Sequence, residues 1–539
     1  KRRPRSARPS RPSSADVVVR QQHANLSSLP PQVSPPEFAL SDLRPHAIRG
    51  VEAVALPVLP GPEGNEGQIL LGPGADEIAE QLGLDAFALL ELDGATGRTG
   101  EITSYPVPLG APEAEALRWV HFLGVGEQRP ADLRRAGATL ARATRDRSSV
   151  ATSIPAVAPD GGLEAFVVGV MLGSFVFHWR SQPPEHVPVA RVVLADLPKT
   201  KRWARILDRA IAVGGAGWRA RMIAAVPSNL KNPGWLADQA VVVADESGLK
   251  SKVWDVEALT SGGFGGILGV GQASATPPRM IELDYRPPGG GRSGPRVVLV
   301  GKGITFDTGG LSIKPGESMV NMKRDVTGGA VVLAVMAALA AVECPVRVTG
   351  LIAAAENAIG DNALRPGDVV RHYGGRTSEV TNTDAEGRLV MADAIAYAVD
   401  RLDPAVIVDV ATLTGAMKVA LGQQVGGFFA NRDGLASVIA QAAEAAGEPL
   451  WRFPLAAEYE DKLSSSVADA DNAPGGPGAI TAALFIQHFV GDRPWAHLDV
   501  ASVGDAPADS YEWTIGPTGF GARALLAWLG SDDPMAGVA

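Results

Sequence analysis

Short apolar runs alternate with segments of helical spacing along most of the chain. In the first half, Val51–Val58, Gln68–Leu71, Trp119–Leu123 and Val189–Leu194 read as strands, and Ala75–Leu82 and Pro130–Ala143 as helices. From Phe38 to Leu197 this alternation predicts a small α/β domain, with no cluster of chemically suggestive residues. Residues 198–222 are basic, and Trp203, Ile206, Leu207, Ala210 and Ile211 mark one helical face, so the stretch reads as a connecting helix. Asn232-Pro233 opens another helix, and Gly262–Gly271 is a glycine-rich segment beside the Pro277-Pro278 turn.

The second half repeats strand and helix more strongly. Arg296–Val300, Val346–Ala354 and Ala405–Thr412 have the continuous apolar character of buried strands. Gly328–Val342, Leu389–Val399 and Arg523–Leu529 read as helices, and Val369–Tyr373 with Ser378–Asn382 as a hairpin around Gly374-Gly375. The fold class expected is α/β in two domains. A smaller N-terminal α/β domain spans 37–197, and a larger C-terminal domain spans 223–539, its mostly parallel central sheet covered by helices on both faces. Ligands of such sheets gather at the carboxyl ends of the strands, which is where the polar motifs fall.

Composition narrows the class. At 539 residues, 46% hydrophobic and 20% charged, the chain has the balance of a soluble globular protein. Residues 1–36 are rich in Pro, Arg and Ser and are expected to be a disordered tail. Residues 1–20 carry a local +6 within a net −10, which leaves −16 on the remainder and opposes nucleic acid as a partner of the folded body. The tail has something of an organellar transit peptide, and the absent initiator Met is expected from either processing or a trimmed chain, but a solvated tail on a cytoplasmic protein is the favoured reading. Cys344 is the single cysteine, so no internal disulfide forms, and the two longest apolar runs are too short to span a bilayer.

Two clusters carry chemistry. The first follows the strand Arg296–Val300 as a glycine-rich loop, Gly301 to Gly310, containing Lys302 and Asp307, and continues to Lys314 and Asp325. A phosphate-binding loop needs Ser or Thr directly after its lysine, and Gly303 stands there instead. The second is Asn382-Thr383-Asp384-Ala385-Glu386-Gly387-Arg388. If this segment is extended, Asp384 and Glu386 project to one side and converge. The competing view is a helix N-terminus, where acidic residues suit the macrodipole. Four carboxylates with glycines and no adjacent histidine form an oxygen-rich site, balanced by about two divalent ions of magnesium, manganese or zinc. A His-Glu-x-x-His zinc motif and a Gly-x-Ser-x-Gly elbow are both absent. A paired-metal site activates water and polarises a carbonyl or phosphoryl oxygen.

The runs Val300–Pro315, Met322–Ala330 and Asn382–Ala398 closely resemble the leucyl aminopeptidase family of hexameric dimetal exopeptidases, with Asn382–Leu389 as that family's signature. Leu268–Pro278, Arg365–Asp368, Ala411–Ala416, Pro477–Ala482 and Trp495–Val500 extend the likeness over roughly 200–530. The resemblance implies that Lys302, Asp307, Asp325 and Glu386 bind a tighter-held metal, and Asp307, Asp384 and Glu386 a readily exchanged one. Those metals would be Mn2+ or Zn2+, with Mg2+ an option in the exchangeable site. It further implies that Lys314 stabilises the tetrahedral intermediate and that Arg388 holds a bicarbonate acting as base. Met322 would line the pocket for the first side chain, and Thr412, Leu413, Thr414 and Gly415 would position the backbone. Peptides with a free N-terminus, beginning with leucine or another apolar residue, would be substrates, and the assembly a homohexamer, a dimer of trimers. The chain departs from the family at Val326-Thr327-Gly328-Gly329 and at Gly475–Ala479, which bears on substrate preference and assembly. Two rival readings keep the fold. A DNA-binding relative rests on the basic tail alone, and a silent structural homologue requires lost ligands where none is lost.

Overall fold

The computed structural model describes residues 29–62, 68–108, 116–289 and 294–538. The Pro/Arg/Ser-rich tail lies outside these up to residue 28, and residues 29–36 hold neither helix nor strand.

Among the described residues, the first sheet runs in the order Glu37–Leu40, Arg191–Leu194, Ser149–Thr152, Ala53–Pro60, Trp119–Gly124, Ile102–Pro106, with Ile69–Leu71 added beside Ala53–Pro60. Alternate residues of one strand feed opposite cores. Ala53 and Ala55 face the helices Pro130–Ala143 and Gly162–Gly173, while Val54 and Leu56 face Ala75–Leu82 and Ala86–Leu92. The helix Pro130–Ala143 starts where Pro130 supplies a preset φ and Asp132 takes the Arg129 amide, so its start was legible in the sequence.

The helix expected over 198–222 runs Lys201–Ala225, begun by Thr200, whose hydroxyl accepts the Trp203 amide. It packs against Gly162–Gly173 on one side and Thr327–Ala338 on the other.

The second sheet has the order Leu450–Arg452, Gly426–Ala430, Trp495–Asp499, Val406–Ala411, Arg296–Asp307, Arg347–Asn357, Arg279–Tyr285, Lys250–Trp254. Its four strands from Trp495–Asp499 to Arg347–Asn357 are parallel, and the strands flanking them pair antiparallel. Val297 and Leu299 enter a core shared with Thr327–Ala338 and Ala522–Leu529, and Val298 and Val300 enter one shared with Glu386–Arg401 and Gly478–Gln487. All four are fully buried, each stabilising by roughly 1.5–3 kcal/mol. Helices on both faces explain why these strands are apolar without interruption.

One local expectation needs correction. Gly301–Asp307 is not a loop: the strand continues from Arg296 to Asp307, paired residue by residue with Arg347–Asn357 as far as Ile304. The glycines there answer to packing, since a Cβ on Gly301 would sit 2.7 Å from Gly328 O at the start of the helix Thr327–Ala338. The Gly262–Gly271 segment ends in a short helix, Gly265–Gly271, whose Ile267 amide donates to Asp393 Oδ2 at 2.9 Å. Asp307, Asn357 and Asp499 all stand at the carboxyl ends of parallel strands, and Thr412 directly follows a fourth.

Candidate metal centre

Lys302 lies inside its strand, its side chain rising between two carboxylates. Its Nζ is 2.7 Å from Asp325 Oδ2, 2.8 Å from Glu386 Oε1 and 3.1 Å from Thr412 O. Asp325 follows the turn Met322–Arg324, and Thr412 Oγ1 donates to its Oδ1 at 2.7 Å. On the other side, Lys314 Nζ is 2.8 Å from Asp307 Oδ2 and also contacts Asp384 Oδ1. Carboxylate oxygens of Asp307, Asp384 and Glu386 all lie within 4.8 Å of one another, the spacing of a group able to hold a metal ion.

The convergence of Asp384 and Glu386 has a different cause from the extended segment expected. Asp384 sits in a turn whose amide donates to Asn382 Oδ1 at 2.8 Å, and Glu386 is the first residue of the helix Glu386–Arg401. The helix-start reading was therefore right about place. Glu386 is 2 % exposed, however, and no solvated capping acid is hidden to that degree.

Electrostatics mark the site as short of positive charge. Burial raises the pKa of Asp307, Asp325, Asp384 and Glu386, reinforced at Asp307 by Glu386 and at Glu386 by Asp325. Burial opposes charge on Lys302 and Lys314 too, but the carboxylates outweigh it and raise both. Glu386 Oε2 is buried and accepts no hydrogen bond among the described residues. Asp325 Oδ2 and Asp384 Oδ1 have lysine nitrogens at ion-pair range but no hydrogen bond. A buried carboxylate oxygen without a donor costs free energy unless a cation meets it. Three of the four carboxylates hold such an oxygen, and four carboxylates against two ammonium groups leave a negative charge that fits divalent cation binding.

Arg388 is 8 % exposed, and burial lowers its pKa to about 10. Its Nη1 donates to Asn472 O at 2.7 Å, while Nε is buried without a hydrogen-bond partner among the described residues. A spare donor on a buried guanidinium suits a small oxyanion.

A family model described as "Cytosol aminopeptidase family, catalytic domain" matches residues 218–526, more than half of the chain. The chain belongs to the cytosol aminopeptidase family. It is a metal-dependent aminopeptidase, a hydrolase of leucyl aminopeptidase type. It is similar to a "Probable cytosol aminopeptidase" of Syntrophotalea carbinolica, with 39% identity over 80% of this chain and 89% of that one. Its fold is similar to that of the "Bottromycin maturation enzyme BotP in complex with Mn", with 34% identity, TM-score 0.77, and 89% and 99% of the two chains covered. A mutant of tomato leucine aminopeptidase matches with 29% identity and TM-score 0.81 over 94% of this chain and 99% of that one.

Of the other residues singled out, Met322 is half-buried in the turn before Asp325. Thr412, Leu413, Thr414 and Gly415 form the link from the strand Val406–Ala411 to the helix Ala416–Leu421. The buried carboxylate of Asp499 holds this link, accepting from the amides of Leu413 and Thr414, both at 3.1 Å, and from Thr414 Oγ1 at 2.7 Å.

Sequence reasoning passed over three such supporting residues around this cluster. Asn357 Nδ2 donates to Asp307 Oδ1 at 2.8 Å and to Thr383 O at 3.1 Å. Asn472 Nδ2 donates to Asn382 O at 2.8 Å, and its Oδ1 accepts the Thr381 amide at 2.9 Å. Asn357 and Asp499 share one available signal, a polar residue ending an apolar strand on the side where ligands gather. Asn472 offers none, since its partners lie about 90 residues upstream.

Proposed function

We propose that this aminopeptidase removes the first residue, leucine or another apolar one, from peptides with a free N-terminus. Two divalent cations would be held here, one by Lys302, Asp307, Asp325 and Glu386, the other by Asp307, Asp384 and Glu386, with manganese or zinc preferred and magnesium an option in the second site. Bound there, such ions supply an activated water and polarise the scissile carbonyl. The observation that carries this reading is the pairing of Lys302 between Asp325 and Glu386 with an unpartnered Glu386 Oε2 alongside. The similar BotP structure is a complex with Mn, which supports the choice of metal.

The chain's own groups then have separate duties. Lys314, 2.8 Å from Asp307 Oδ2, presents an ammonium that stabilises the negative oxygen of the tetrahedral intermediate. Arg388 uses its spare Nε donor to hold bicarbonate, which when bound is a base toward the attacking water. Met322 and Leu413, both half-buried, offer apolar surface to the first side chain, and the Thr412–Gly415 link orients the peptide backbone. The protein works in the cytoplasm as a homohexamer, a dimer of trimers; the name carried by its relatives supports the location.

Purified full-length chain supplied with Mn2+ or Zn2+ should hydrolyse leucine amide and chromogenic leucyl substrates, release nothing from N-acetylated peptides, and stop on chelation. Cleavage of N-acetylated peptides, or turnover indifferent to chelator, sinks the reading.

A further inference from the structure

Beside the centre lies a fully buried lysine that none of the reaction's proposed duties employs. Lys231 is 0 % exposed and, among the described residues, forms no ion pair with a carboxylate. Burial pushes its pKa well below the usual lysine value. An apolar side chain of the same length would fill this space without that desolvation cost. The amine therefore has a use beyond volume, and its two bonds say what it is.

Lys231 Nζ donates to Ala224 O at 3.1 Å and to Lys323 O. Ala224 is in the last turn of the helix Lys201–Ala225, where carbonyls have no partner within the helix. Lys323 belongs to the turn Met322–Arg324, which is closed by the Asp325 amide donating to Met322 O at 3.1 Å. The turn and Asp325 therefore move together. Lys323 spans the same gap in the reverse sense, its Nζ donating to Ala225 O at 3.1 Å. Both lysines cap one helix end and tie the turn to it, Lys323 through the tip of its own side chain and Lys231 by gripping the backbone carbonyl two residues before Asp325.

We infer that Lys231 is a positioning residue that anchors the Met322–Asp325 turn to the end of the long helix, and so sets the Asp325 carboxylate for cation binding beside Lys302. This rests on the proposed reading of Asp325 as a ligand of the tighter-held cation.

The test compares full-length wild type with Lys231→Met and Lys323→Met. Each is loaded with Mn2+, and cation release to a colorimetric chelator is followed alongside thermal unfolding. Wild type should release its cations in a fast and a slow phase. Lys231→Met should speed the slow phase at least tenfold and leave the fast phase unchanged. Lys323→Met loses the side-chain tether but leaves the bond that holds the Lys323 carbonyl, so its slow phase should quicken far less than that of Lys231→Met, even where its unfolding midpoint falls. If Lys231→Met does not fold, Lys231→Gln takes its place, with the same acceleration expected. Equal slow phases in the Lys231 and Lys323 variants would overturn the inference. A wild-type chain without a slow phase would overturn the two-cation reading itself, and the role of Lys231 with it.

Discussion

Asn357 Nδ2 donates to Asp307 Oδ1 at 2.8 Å. With the Gly309 amide, also 2.8 Å from Oδ1, it fixes the carboxylate so that Oδ2 is the oxygen turned toward Lys314. Groups that orient a ligand from behind matter nearly as much as the ligand. Asn357→Ala should lower cation affinity or turnover by about 10- to 100-fold while leaving the fold in place. Metal titration and steady-state kinetics on the folded variant check this; an unchanged affinity and rate would leave Asn357 as packing only.

Lys314 should act on the reaction more than on binding. Lys314→Met removes the ammonium from beside Asp307 and Asp384, and loss of one such stabilising donor costs about 100- to 1000-fold in kcat. KM should change little, because the charge it meets exists only once the carbonyl is attacked. A variant that raises KM at constant kcat would assign Lys314 to substrate binding.

The two chemical clusters were legible in the sequence because their residues are packed densely along the chain. Their local conformations were not. Lys302 was expected in a loop and lies within a strand, since a glycine between apolar runs signals flexibility in the sequence and close packing in the fold. Asp384 and Glu386 meet through a turn and a helix start, which alternation along an extended segment does not describe. Boundaries such as Ala75–Leu82 and Pro130–Ala143 were readable from the chain because Gly83 and Pro130 punctuate them locally. Strands such as Arg279–Tyr285 and Gly426–Ala430 were not, because their pairing partners lie far along the chain and their own composition is mixed.

Packing at the strand–helix crossing is tight enough to give a stability test. A Cβ on Gly328 would fall 2.0 Å from Val410 O, a backbone atom that cannot rotate away. Gly328→Ala should destabilise by roughly 1–3 kcal/mol or more, read as a lower urea midpoint. A midpoint equal to that of wild type would show that the helix Thr327–Ala338 can shift without cost.

Acid stability should depend on His121. Burial lowers its pKa from 6.5 to about 4, with the Arg147 guanidinium adding to the effect. Its Nδ1 meets Ser104 Oγ at 2.8 Å, and Nε2 is buried with no partner among the described residues. The folded protein therefore holds His121 neutral where the unfolded chain would protonate it. The stability it contributes is fully present above pH 6.5 and falls as pH drops toward 4, by up to about 3 kcal/mol. His121→Gln should flatten that part of the stability profile when chemical unfolding is compared at pH 7 and pH 4.5. Parallel profiles for the two proteins would contradict it.

The central claim is that these carboxylates and Lys302 hold two divalent cations. Anomalous diffraction at the manganese edge, from crystals of the full-length protein grown with Mn2+, tests it most directly. Two peaks are expected, one bounded by Lys302, Asp307, Asp325 and Glu386 and one by Asp307, Asp384 and Glu386, with Glu386 Oε2 engaged. A single peak, or peaks away from these residues in crystals of active enzyme, would contradict it.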